Sequence, residues 1–300
     1  MNKTFDIEAA HAAFTLPNDD GSFDLDFRHY LRELGESRRS IILAFPPKAA
    51  GTYLRTACIV AAQGTLVRTV HAQGGRDATF YLPTFLSYYV NDRPAQMLVT
   101  HVHMQALPAN RHVIEALDLK PIIMIRSIPD MLASYMEMLE PNPLSADNWL
   151  NICVPEDYKA SSEAHKADFV VDMMGPWYAS YFSTWLNYAT STPGRVCILT
   201  YEGFLTDPLA TLEKVLEHSR VPRPREVCRA ALDEVWEERS QFRFNKGISG
   251  RGRSRFTAAQ IMRLERQIGF YPNLYPIRDT LVPPLGSFAE TSGRYGMPLA

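Results

Sequence analysis

The sequence predicts one α/β domain with a central parallel sheet flanked by helices. Short unbroken apolar runs at 41–45, 97–99 and 121–125 read as strands buried on both faces, as parallel sheets require. Two of these runs lead through a tight loop into helix-compatible sequence, giving strand, loop and helix at 41–62 and again at 121–139. The chain of 300 residues, 46% of them hydrophobic, is long enough for one large domain with a sizeable core. Its 31 basic and 33 acidic residues nearly cancel, so no bulk field favours nucleic acid or an anionic membrane, and any anion site must be local. Cys58, Cys153, Cys197 and Cys228 are widely spaced, which indicates buried thiols rather than zinc or a disulfide framework. With no signal-peptide core and no run approaching a bilayer span, the reading is a cytoplasmic protein with no membrane partner.

Taken in order, residues 1–39 are a polar lead-in packed on the domain, with a short helix expected at 27–34, and 40–300 form the domain itself. Pro46 and Pro47 end the first strand because neither can donate to a sheet ladder. The loop then carries Lys48, Ala49, Ala50, Gly51, Thr52 and Tyr53 into a helix through Ala62. A helix N-terminus offers free N–H groups and a positive dipole end, and Lys48 and Thr52 add a cation and a hydroxyl, so this is a place for phosphate or sulfate. A second strand is expected at 66–70, and the aromatic run 81–89 belongs to the core or to an acceptor cleft. The strand containing 97–99 runs toward His101 at the sheet's carboxyl edge, where α/β folds bind ligands. Histidine titrates at about 6.5 and can accept an alcohol's proton near neutral pH; His103, two residues on, is the second candidate.

The strand at 121–126 ends in Arg126, and Pro129 suits the first turn of the helix that follows, with Ser134 further along it. The irregular segment 140–171 is expected to be a lid or specificity loop, and an aromatic helix is expected at 176–189. A strand at 195–202 contains Tyr201, and helices follow at 207–218, with Asp207 as its cap, and at 222–236. Residues 244–257 hold three glycines and four cations, too flexible for a helix and too basic for a core, so they read as an anion-embracing loop. Thr257 is expected to cap a helix through Gln267, and the proline-rich tail from Pro272 to order only by contact with the domain.

Five of these segments, in order, resemble the motifs of sulfotransferases that use 3′-phosphoadenosine 5′-phosphosulfate (PAPS). The loop Pro47-Lys48-Ala49-Ala50-Gly51-Thr52-Tyr53 is similar to P-K-S-G-T-T-W, with Ala50 at the family's glycine and Gly51 at its first threonine. Thr100-His101, with Leu107-Pro108, resembles K-T-H-L-P-x-x-L-L-P, and Arg126 to Tyr135 resembles R-N-P-K-D-V-A-V-S-Y. Tyr201-Glu202 matches the start of Y-E-D, and 245–257 resembles R-K-G-x-x-G-D-W-K-N-x-F-T. The resemblance implies a fold like that of P-loop nucleotide kinases, PAPS as co-substrate and no metal. It implies His101 as general base, Lys48 in the catalytic machinery, and Lys48 to Tyr53 around the 5′-phosphosulfate. Arg126, Ser134, Asn245, Lys246 and Gly247 are implied at the 3′-phosphate, with Arg251, Arg253 or Arg255 supplying charge that Asn245 lacks, and Tyr201 at the adenine. The acceptor is expected to be a small-molecule hydroxyl, apolar or aromatic to judge from 81–89 and 149–158. The alternatives are a small-molecule kinase of the same fold, disfavoured by the absence of a Walker lysine, and a non-catalytic relative that binds the bisphosphate. The oligomeric state is left undetermined.

Overall fold

The computed structural model describes residues 32, 39–67, 85, 97–140, 154–238 and 249–284. Five strands form one parallel sheet: β1 (Ser40–Leu43), β2 (Gly64–Leu66), β3 (Met97–His101), β4 (Pro121–Ile125) and β5 (Cys197–Thr200), in the order β2-β3-β1-β4-β5. Every residue of β1 and β4 is buried, which explains their uninterrupted apolar sequences. The edges are blunted by short strands: β2 has three residues and lies half exposed, while β5 alternates between core and solvent. From β1 the chain winds outward to β2 and returns through β3, whereas from β4 it winds the other way to β5. The sheet therefore reverses direction between β1 and β4, where ligand crevices form in such folds.

Helix α1 (Gly51–Ala62) follows β1, α2 (Pro108–Ala116) follows β3, and α3 (Ile128–Leu139) follows β4. Next come the long α4 (Glu163–Ser191), short α5 (Tyr201–Thr206), α6 (Pro208–His218) and α7 (Arg225–Glu237). The last helices are α8 (Arg251–Arg255), α9 (Ala258–Gly269) and α10 (Arg278–Leu281), with a 3-10 turn at Pro272–Ile277 before α10. Helices α6 and α7 pack with α1, while α3, α4, α8 and α9 form a second group. Local chemistry sets several boundaries: the Asp207 side chain accepts from the Ala210 N–H at 2.9 Å, and Thr257 with Gln260 closes a capping box on α9. Asn273 Nδ2 donates to the Ser183 carbonyl at 2.9 Å and docks the 3-10 turn on α4. Cys58, Cys197 and Cys228 are buried thiols, each with its pKa pushed up mainly by desolvation, so none is a reactive thiolate.

Besides the strand expected at 195–202, which is Cys197–Thr200 with Tyr201 opening α5, three boundaries depart from expectation. The second strand is Gly64–Leu66, ahead of the expected 66–70, because Gln63 adopts a left-handed conformation (φ 52°), ends α1 and turns the chain at once. Gly64 lies so close to β3 that an added Cβ would sit 2.8 Å from the Val99 side chain; 68–70 lie outside the described residues. The aromatic helix begins at Glu163 and carries Pro176 inside it, so 163–171 of the expected lid segment are helical, preceded by a 3-10 turn at Tyr158–Ala160. Ser162 caps that start, accepting from the His165 N–H at 3.2 Å, and Gln267 of α9 donates to the Val171 carbonyl near the proline. The third is the Gly-rich segment, whose residues Arg251–Arg255 form α8 for reasons given below. The lead-in helix, the aromatic run and 141–153 fall outside the described residues except for Arg32 and Phe85, the latter fully buried in the core.

Candidate functional site

The loop after β1 is held from behind. Tyr181 of α4 donates to the Ala44 carbonyl, Tyr178 donates to the Pro47 carbonyl at 3.1 Å, and Arg126 Nη1 donates to the Lys48 carbonyl at 2.6 Å. Lys48 and Ala50 both lie in the left-handed region, at φ 66° and 62°, a conformation costing an L-residue about 1–2 kcal/mol. This geometry delivers the chain to Gly51 as the first residue of α1, whose opening N–H groups have no intrahelical partner by construction. Thr52 is half-buried there, while Tyr53 turns inward, with its hydroxyl donating to the Leu232 carbonyl and its ring 5.8 Å from Phe204. Ala50→Gly removes a left-handed Cβ penalty but adds unfolded-state entropy worth about 0.4–1 kcal/mol. A net stabilisation of about 0.5 kcal/mol is expected by chemical denaturation.

His101 is the last residue of β3, level with Leu43 of β1, and half-buried. Its ring stands edge-on to Phe45 (6.1 Å between centroids) and to His103 (4.9 Å). His103 is buried, and its Nδ1 lies 2.7 Å from the Phe45 carbonyl, which fixes Nδ1 as the protonated nitrogen. His103 thus lies beyond the end of β3 and supports His101 from inside.

Arg126, at the carboxyl end of β4, is only 5% exposed. Besides holding the Lys48 carbonyl, its guanidinium lies 3.8 Å above the Tyr201 ring. One side chain therefore joins the β1 loop, β4 and the start of α5. Ser134 is buried on α3, one turn beyond Asp130. Asp130 itself is the residue whose importance the sequence concealed. Its carboxylate, 2% exposed, accepts from the Gly250 and Gly252 N–H groups at 2.7 Å each and from Ser249 Oγ at 3.4 Å. The anion that 249–252 embrace is thus the chain's own aspartate, and this clasp seats α8 on α3. Arg251 makes a forked pair with Glu137, and Arg255 pairs with Glu163, so each of these two cations has a carboxylate of the chain beside it. Asn245, Lys246 and Gly247 lie outside the described residues.

The clasp explains Gly252, which stands where the motif above has tryptophan. A Cβ there would lie 2.1 Å from the Pro129 carbonyl carbon and 2.4 Å from the Asp130 nitrogen, both backbone atoms that cannot turn aside. Gly252→Ala is expected to destabilise the protein by about 3 kcal/mol, from overpacking and a lost charge-assisted hydrogen bond, read as a lower denaturation midpoint. Among the described residues, no three His, Cys, Asp or Glu side chains are arranged to hold a metal ion, and no helix is long and apolar enough to cross a membrane.

The family model described as the sulfotransferase domain matches residues 88–269, from before β3 to the end of α9. Among solved structures the chain is similar to a mouse sulfotransferase, SULT7A1, complexed with PAP, at 14% identity and a TM-score of 0.58, covering 83% of this chain and 91% of that one. It is also similar to a retinol dehydratase in complex with androsterone and inactive cofactor PAP, at 10% identity and a TM-score of 0.44, covering 83% and 85%. Comparison with curated proteins gave no match. The first of these likenesses agrees with the fold described above.

Proposed function

Since the chain belongs to the sulfotransferase domain family, we propose that it moves a sulfuryl group from PAPS to a hydroxyl of a small-molecule acceptor, with His101 as general base. The observation that carries the reading is convergence: the Lys48–Thr52 loop, His101 and Arg126 meet at the carboxyl ends of three adjacent strands, β1, β3 and β4. In this reading the acceptor oxygen attacks sulfur as His101 takes its proton. The bond between sulfur and the bridging oxygen breaks, and 3′,5′-adenosine bisphosphate (PAP) leaves with the electron pair. Lys48, Thr52 and the first-turn N–H groups of α1 offset negative charge gathering on the transferred group and the leaving oxygen. Arg126 and Ser134, with the 245–247 segment, hold the 3′-phosphate; a buried guanidinium is suited to forked bonds with a phosphate. Tyr201, carrying Arg126 on its ring, meets the adenine. The acceptor is an apolar or aromatic alcohol, and the buried thiols suit a reducing cytoplasm.

Calorimetric titration with PAP, 5′-AMP and ATP–Mg²⁺ tests this reading. Micromolar binding of PAP that is lost with its 3′-phosphate supports it, and transfer of labelled sulfate to a phenolic or alcohol acceptor completes it. A preference for ATP–Mg²⁺ would replace it with a kinase, and PAP binding without transfer to any acceptor would leave a non-catalytic nucleotide-binding protein.

A further inference from the structure

We propose that Gly51 is a positioning residue: its lack of a side chain is what seats the His101 ring against the first turn of α1. This rests on the reading of His101 as the base. A Cβ on Gly51 would lie 2.2 Å from Nε2 and 2.3 Å from Cε1 of His101, and 3.0 Å from Cδ2. The ring edge that carries Nε2 therefore fills the volume any other residue would need. Backbone conformation does not call for glycine at this position, because Gly51 opens α1 without a positive φ. The residue that does adopt a left-handed conformation is Ala50, one place earlier. The loop thus bears a methyl group where the turn would favour glycine and has glycine where the histidine needs room. The ring has little freedom to retreat, since Phe45 and His103 meet it edge-on and His103 is itself fixed to the Phe45 carbonyl. An alanine at 51 must consequently push the imidazole by about 1 Å to reach ordinary contact distance. A displacement of that size between reacting groups costs about a hundredfold in rate. The chemical consequence is that the imidazole is held at the same helix start that holds the sulfuryl group in the proposed reaction. Restoring threonine at this position, as the motif would suggest, is expected to be more damaging than alanine.

The test compares Gly51→Ala, His101→Ala and the double variant. Gly51→Ala is expected to lower kcat about a hundredfold while the donor KM and the PAP affinity change less than tenfold, because alanine keeps the first-turn N–H. Its denaturation midpoint is expected to fall, and the fall to vanish in the His101→Ala background, where the clash is absent. Turnover within threefold of the parent, or the same midpoint shift in both backgrounds, would overturn the proposal. Should Gly51→Ala be too unstable to assay, recovery of folding in the double variant supports the contact, and failure to recover overturns it. If the parent transfers no sulfuryl group, or His101→Ala retains full turnover, it is the assignment of the base that fails, while the stability comparison still reads whether Gly51 accommodates the ring.

Discussion

Replacing His101 with alanine is expected to lower turnover by about two to four powers of ten while PAP still binds, since proton transfer by a positioned base contributes that much. Steady-state kinetics with saturating donor checks this, with calorimetry on the same sample. The expected separation of binding from turnover follows from position. His101 closes β3, where its ring meets Phe45, His103 and the Cα side of Gly51, while Arg126, proposed to hold the 3′-phosphate, lies across β1 at the end of β4. His103→Ala should act differently. That side chain is buried and bonded to the Phe45 carbonyl, so its loss leaves a carbonyl unsatisfied and frees the His101 ring, costing stability as well as rate. Undiminished turnover in His101→Ala with loss in His103→Ala would exchange their roles.

Arg126→Ala is expected to weaken PAP by about 3 kcal/mol, a hundredfold or more, and 5′-AMP by much less, so that discrimination between the two nucleotides collapses. Titration of both ligands into parent and variant reads the ratio directly. Some loss for 5′-AMP is still expected, because Arg126 also supplies the Lys48 carbonyl with its donor and covers the Tyr201 ring. Arg126→Lys should fall between parent and alanine: an ammonium keeps the charge but cannot fork to a phosphate, stack on a ring and reach the Lys48 carbonyl together. Equal weakening of both nucleotides in Arg126→Ala would mean that Arg126 supports the loop and does not contact the 3′-phosphate.

Much of this was legible in the residues, and the limits have physical reasons. β1 and β4 are apolar on both faces because both faces are buried, so their sequences announce them. β2 is a half-exposed edge of three residues beginning with glycine, and it has no period to read. The start of α4 is hidden because Pro176, which on its own marks a first turn, is tolerated within a helix braced by α9. His101, Arg126 and Ser134 stand at strand ends or on the helix that follows; patterning locates those elements, and the resemblance to family motifs singles out the residues. Asp130 could not be found that way: its partners lie 119 to 122 residues further along the chain, and a buried carboxylate bonded to backbone amides leaves no mark on side-chain spacing. The ion pairs of Arg251 and Arg255 were hidden for the same reason, their carboxylate partners Glu137 and Glu163 being remote in sequence.

The clasp on Asp130 bears on how this protein can vary. Its donors include two main-chain amides, which any side chain on the loop would leave in place, whereas an aspartate in the first turn of α3 and a glycine at 252 cannot change alone. Chains descended from the same ancestor should therefore either keep both or lose both, and a sequence with one and not the other should have found a different way to seat α8 on α3.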